Sequence, residues 1–130
     1  MNFFRKIKLV AGGLGLSGVA LGAFGAHALN PALTARGTVA LWEKAVIYHL
    51  VHAVAVLAAA LAPSARPWLA RAAVCWSLGV VCFSGSLYAL ALGAPVRWLW
   101  PVTPAGGLLF LLGWSLVLVD SLRPDPLEKN

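Results

Sequence analysis

Charged residues leave long stretches of the chain untouched. Between Lys8 and Arg36 lie 27 residues without a formal charge, and between Lys44 and Arg66 lie 21. The next two runs, Arg71 to Arg97 and Arg97 to Asp120, hold 25 and 22. A helix needs about 20 apolar residues to cross the hydrocarbon core of a bilayer, and each run is long enough. The pattern predicts one membrane domain over residues 1–130, with transmembrane helices at about 9–28, 45–62, 70–92 and 104–122. The fold class expected is all-α, an integral membrane four-helix bundle.

Small residues within these runs follow a helical period. Ala11, Gly15, Gly18, Gly22 and Gly25 recur at spacings of four and three, and so do Cys75, Gly79, Cys82, Ser86, Ala89 and Gly93. In lipid no hydrophobic drive pulls helices together, so association depends on close backbone approach. The stripes predict a compact bundle with left-handed crossings. Gly15, Gly18, Gly22, Gly25, Gly79, Gly85, Gly106 and Gly107 are the expected packing positions. The second helix carries an alanine stripe, Ala55, Ala59 and Ala62, that runs back to His52 and Tyr48. The fourth opens on Pro101 and Pro104, which suit a helix start.

Arg5, Lys6 and Lys8 before an apolar run, with Ala26-His27-Ala28 after it, also fit a cleaved secretory signal. The run Leu9–Ala26 has 18 residues, longer than the usual core of such signals at about 7–15. Its glycine stripe would serve no purpose in a discarded segment. The first helix is therefore expected to stay.

Composition agrees with the pattern: 61% of residues are hydrophobic and 11% charged. The net charge of +6 raises nucleic-acid binding, but the basic residues are scattered at helix ends with no run longer than two. They read as anchors in the lipid bilayer, with no nucleic acid as partner. Arg5, Lys6, Lys8, Arg66, Arg71, Arg123 and Lys129 fall on one side, and Arg36, Lys44 and Arg97 on the other, which predicts cytoplasmic termini. Trp42, Trp68, Trp98 and Trp100 lie where an interfacial aromatic belt is expected. Asn30-Pro31 is placed to cap a short interfacial helix. Cys75 and Cys82 are about 10 Å apart along one helix, too far for a disulfide, and read as small packing residues.

Ionisable groups inside a span are functional candidates by default. His49 and His52 stand at i and i+3, on one face of a helix, and His27 ends the first span. Such a set raises metal or haem binding. Ser84 and Ser86 raise hydroxyl chemistry, but no G-x-S-x-G elbow and no third residue to orient a base accompany them. Topology brings His27, Tyr48, His52, Ser84, Tyr88 and Thr103 into one half of the bundle, as an outward-facing polar cluster.

These patches carry a family resemblance. GAFGAH at 22–27, Tyr48 with His52, FSGSLY at 83–88, the TP-x-GG pattern at 103–107 and Gly113-Trp114 resemble the domain of unknown function 423 family. That family comprises small bacterial membrane proteins with mitochondrial relatives of the transmembrane-protein-256 type. The resemblance implies a four-helix inner-membrane protein and supplies no activity. His49 lies outside its motif, which leaves His27 and His52 as the histidines of interest. The expectation is a non-enzymatic accessory, structural or partner-binding subunit, without cofactor or metal, acting as a homo-oligomer or with another membrane protein. The alternative is binding or transport of a small ligand through the polar cluster.

Overall fold

The computed structural model describes residues 3–62 and 66–123. Its elements are α1 (Phe3–Ala26), α2 (Asn30–Arg36), α3 (Val39–Leu61), α4 (Pro67–Gly79), a π-helical turn (Val80–Ser84), α5 (Gly85–Ala91), α6 (Val96–Leu99) and α7 (Val102–Ser121). α4, the π turn and α5 form one continuous rod. Among the described residues four stretches are long and apolar enough to cross a membrane: Phe3–Ala26, Val39–Leu61, Pro67–Ala91 and Val96–Ser121. α3 and α4 form the centre, with α1 packed on α3 and α7 packed on α4.

Three boundaries differ from expectation for one reason. A run bounded by charges ends at the first charged residue, whereas a helix continues through the interface. α1 therefore begins at Phe3 and carries Arg5, Lys6 and Lys8 within it. α3 begins at Val39 and includes Glu43 and Lys44. Residues 96–100 add a short helical turn before α7. The expected interfacial helix is present as α2, but Asn30 does not cap it. Leu29 occupies the cap position without a side-chain bond, and the Asn30 amide oxygen instead accepts from Thr34 Oγ1 at 3.4 Å.

The interior is built from small residues and rings. Ala45, Ala53, Ala60, Ala72, Ala73 and Ala91 are buried, while Leu9, Leu16, Val54, Leu108 and Leu118 face outward. Large aromatic rings fill notches left by missing side chains. Trp42 of α3 lies against Gly25 of α1, and Trp76 of α4 lies against Gly113 of α7, so closely that a methyl group at either glycine would collide with the indole. A methyl on Gly79 would stand 2.5 Å from Phe110, and one on Gly106 would be 2.8 Å from Phe83 Cα. Trp42 also donates from Nε1 to the Leu21 carbonyl at 3.0 Å. It is thus a packing residue rather than a member of the interfacial belt. Trp98 and Trp100 are exposed, as a belt requires.

Gly18, Gly22, Gly25, Gly79 and Gly106 pack as the stripes suggest, and Gly107 makes ordinary contact with Phe83. Gly15 and Gly85 do not: a methyl at either would meet open space. At Gly15 the gap is local, since Ala11 before it and Gly18 after it are both buried. At Gly85 the π turn is responsible. It inserts an extra residue into the helical repeat, and beyond it Ser86, Leu87 and Tyr88 face inward while Gly85 does not.

The two ends differ. One holds Arg5, Lys6, Lys8, Arg66, Arg71 and Arg123; Lys129 lies outside the described residues. There Arg66 Nη1 donates to the buried Asp120 Oδ2 at 2.8 Å, joining the start of α4 to the end of α7. The Arg71 and Arg123 guanidinium groups lie 4.7 and 4.5 Å from the Trp68 ring. At the other end Gly93, with φ of 96°, closes α5 by a left-handed turn in which Ala94 N–H bonds to the Ala89 carbonyl at 2.9 Å. Thr38 Oγ1 donates to the Ala91 carbonyl at 2.9 Å and ties that end to the start of α3.

Gly106→Ala should cost roughly 1–3 kcal/mol, because the atoms it meets are backbone and overpacking there has no outlet. Gly85→Ala should be neutral or stabilising by up to about 1 kcal/mol through helix propensity. Reversible unfolding of each variant in mixed detergent micelles, followed by circular dichroism, checks both.

Candidate functional site

The polar residues of the bundle sort into separate groups. His52 is buried in α3, with its ring stacked on Phe110 at 3.6 Å between centroids and 10° between planes. Its Nδ1 lies 2.8 Å from the Tyr48 carbonyl oxygen one turn back. A carbonyl only accepts, so Nδ1 carries the proton. Nε2 then accepts from Trp114 Nε1–H at 3.2 Å. The imidazole is neutral with both nitrogens engaged.

His49 is arranged the other way. Ser17 Oγ of α1 donates to the Gly13 carbonyl at 2.8 Å, which leaves its lone pairs for His49 Nε2–H at 3.4 Å. His49 Nδ1 accepts from the Tyr88 hydroxyl of α5 at 3.3 Å. One imidazole thus bridges three helices. His49 and His52 do not converge on a shared ligand position, since one turns to α1 and α5 and the other to α7.

Ser86 Oγ and Thr103 Oγ1 lie 2.7 Å apart and join α5 to the start of α7. Each hydroxyl also faces a backbone carbonyl one turn back, Phe83 at 2.9 Å for Ser86 and Leu99 at 3.4 Å for Thr103. Ser84 is fully buried, and its hydroxyl has no partner among the described residues. His27 is exposed just beyond α1 and makes none of these bonds. Of the six residues expected to cluster, His52 and Tyr48 are in contact, Tyr88 pairs with His49, Thr103 pairs with Ser86, and Ser84 and His27 stand apart. His52 stands past the middle of α3. It lies thirteen residues after Val39, about 20 Å along the helix.

A groove of about 520 Å³ opens sideways beside His52. Its walls include Tyr48, Phe83, Gly107, Phe110, Leu111 and Trp114. The Tyr48 ring is 4.7 Å from Phe83 and 5.9 Å from Phe110. Tyr48 is 41% exposed, and its hydroxyl makes no hydrogen bond among the described residues. Among those residues no three metal-ligating side chains come together. What the site offers is an aromatic, mostly apolar recess with one free hydroxyl.

Sequence reasoning sets His49 aside after pairing it with His52, holds Trp114 only within a motif, and passes over the Arg66–Asp120 pair. The spacing of His49 from His52 is visible in the residues, but a face shared by two residues does not reveal which neighbour each meets. Trp114 stands out only as part of a motif, since its bond to His52 spans two helices.

Fold and site together define a multi-pass helical membrane protein with a lateral aromatic groove. The chain belongs to the family described as protein of unknown function (DUF423), whose model matches residues 21–107. It is 44% identical over 109 residues to the UPF0382 inner membrane protein YgdD of Escherichia coli K12, covering 81% of this chain and 80% of that one. It is 37% identical over 125 residues to the UPF0382 membrane protein SSP2132 of Staphylococcus saprophyticus, covering 91% and 98%. A UPF0382 membrane protein of Haemophilus influenzae is 41% identical over 111 residues, covering 84% and 87%. No solved structure matches the chain. The protein is thus a multi-pass protein of the bacterial inner (cell) membrane.

His49→Ala should destabilise the bundle by about 1–3 kcal/mol, because it strips the buried Tyr88 hydroxyl of its partner. Ser84→Ala should be neutral or stabilising, because the lost hydroxyl bonds to nothing among the described residues. Unfolding midpoints of the two variants, measured side by side in the same detergent, check the contrast.

Proposed function

We propose that the protein is a non-enzymatic accessory subunit that binds a transmembrane helix of another membrane protein in the groove at Tyr48, Gly107 and Trp114. The observation that carries this reading is the shape of that groove. It opens to the side, along the bilayer, and with a volume of about 520 Å³ between rings it has room for side chains of a neighbouring helix. Gly107 leaves room for close backbone approach, the usual requirement for helix association in lipid. The buried histidines are occupied in holding the bundle together, so chemistry at them has no support from their geometry.

A photoreactive amino acid at Leu108, on the lip of the groove, should give a discrete protein adduct in intact cells. The same probe at Leu16, on the outward surface of α1, should not. Gly107→Leu should abolish the Leu108 adduct by filling the notch. Equal labelling at Leu108 and Leu16 would sink the proposal. A second reading, an amphipathic small ligand, draws on the free Tyr48 hydroxyl, which has a donor to offer an acceptor within the groove. In that case the Leu108 adduct would be a small molecule.

The orientation proposed has both termini in the cytoplasm, supported by the excess of basic residues at that end. A fluorescent protein that matures only in the cytoplasm, fused to the C-terminus, should light up. An alkaline phosphatase fusion at the same place should be inactive, and the reverse pair of results would invert the topology.

A further inference from the structure

A second groove lies at the opposite end of the bundle from Arg66 and Asp120, between the end of α1, α2 and the start of α3. Its volume is about 270 Å³. The deeper wall is apolar, with Gly22, Val46 and Ile47. The mouth carries Asn30 and Glu43, and Trp42 forms the floor. No basic residue lines it, and among the described residues Glu43 makes no ion pair. The polar mouth thus lies at the interfacial end of the spans, while the apolar part runs into the bilayer.

We propose that this groove holds one phospholipid with a primary ammonium headgroup, such as phosphatidylethanolamine. The ammonium would donate to the Glu43 carboxylate and the Asn30 amide oxygen, and the start of an acyl chain would lie along Gly22, Val46 and Ile47. Two features select this occupant. The apolar wall of Gly22, Val46 and Ile47 offers a narrow strip along which the start of an acyl chain can lie. The sign of the charge selects the headgroup. A carboxylate with no basic partner in the groove repels an anionic lipid and attracts an ammonium. The Asn30 oxygen, which accepts only a long bond from Thr34 at 3.4 Å, has a lone pair to give. The proposal is independent of the groove at Tyr48.

The test is native mass spectrometry of the intact protein from micelles doped equally with phosphatidylethanolamine and phosphatidylglycerol. The wild type should retain one phosphatidylethanolamine in preference to phosphatidylglycerol. Glu43→Gln should lower that preference roughly two- to fivefold, the range of a partly exposed ion pair, and Glu43→Asp should keep most of it. Ile47→Trp, which fills the apolar part, should remove retention of both lipids. Glu43 and Ile47 are exposed, so all three variants should keep the wild-type melting curve. Retention of both lipids equally by the wild type, retention of neither, or an unchanged ratio in Glu43→Gln would each overturn the proposal.

Discussion

An apolar side chain gains almost nothing by leaving a lipid tail for a protein neighbour, so this bundle must be held by fit. The fit takes one form throughout: a large ring of one helix seated where the facing helix has only hydrogen for a side chain. Trp42 on Gly25 fastens α1 to α3, and Trp76 on Gly113 with Phe110 on Gly79 fastens α4 to α7. Each ring gains dispersion contacts that lipid, less dense and less well shaped, does not supply. The contacts are reciprocal between α4 and α7, since each lends a ring and a notch. Sliding one helix along the other would open both.

The π turn belongs to the same device. By adding a residue it pushes the Phe83 backbone toward α7, where Gly106 is the residue able to receive it. It also rotates α5 relative to α4, so that Ser86, Leu87 and Tyr88 turn inward together. From there Ser86 reaches Thr103 and Tyr88 reaches His49. π turns recur at functional sites, and here the turn sets Phe83 as one wall of the lateral groove.

Much of this architecture is legible in the residues because length and charge decide what crosses a bilayer. The glycine stripe of α1 marks its packing face correctly at Gly18, Gly22 and Gly25. What hydropathy does not carry is direction. Val56 and Val54 are equally apolar, yet one is buried and the other faces outward. Residue size is a partial guide only: Ala45, Ala53, Ala60, Ala72 and Ala73 turn in, but Ala23, Ala40 and Ala58 are exposed, as many leucines are. The second stripe puts Gly79 and Ser86 inside, but no local pattern announces the π turn between them. The candidate site is legible as a set of residue types but not as a set of contacts. Tyr48 and His52 share a helix face and meet, whereas only depth in the bundle groups Ser84 and His27 with them.

The two histidines show why polar residues persist inside so apolar a bundle. Their tautomers are opposite, each fixed by a partner that can act in one sense only: the Tyr48 carbonyl accepts for His52, and Ser17, committed to Gly13, accepts for His49. Hydrogen bonds between membrane helices contribute only about 0.6 kcal/mol on average, so their value here lies less in strength than in direction. Packing of rings against glycines tolerates rotation of an indole about its own axis. A hydrogen bond to its Nε1 does not. By accepting from Trp114, His52 sets the orientation of a ring that forms a wall of the lateral groove. By stacking on Phe110, it also supports the ring that fills the Gly79 notch. The polar core and the lipid-facing recess are therefore one construction: the buried imidazole fixes the shape that the groove presents to the bilayer.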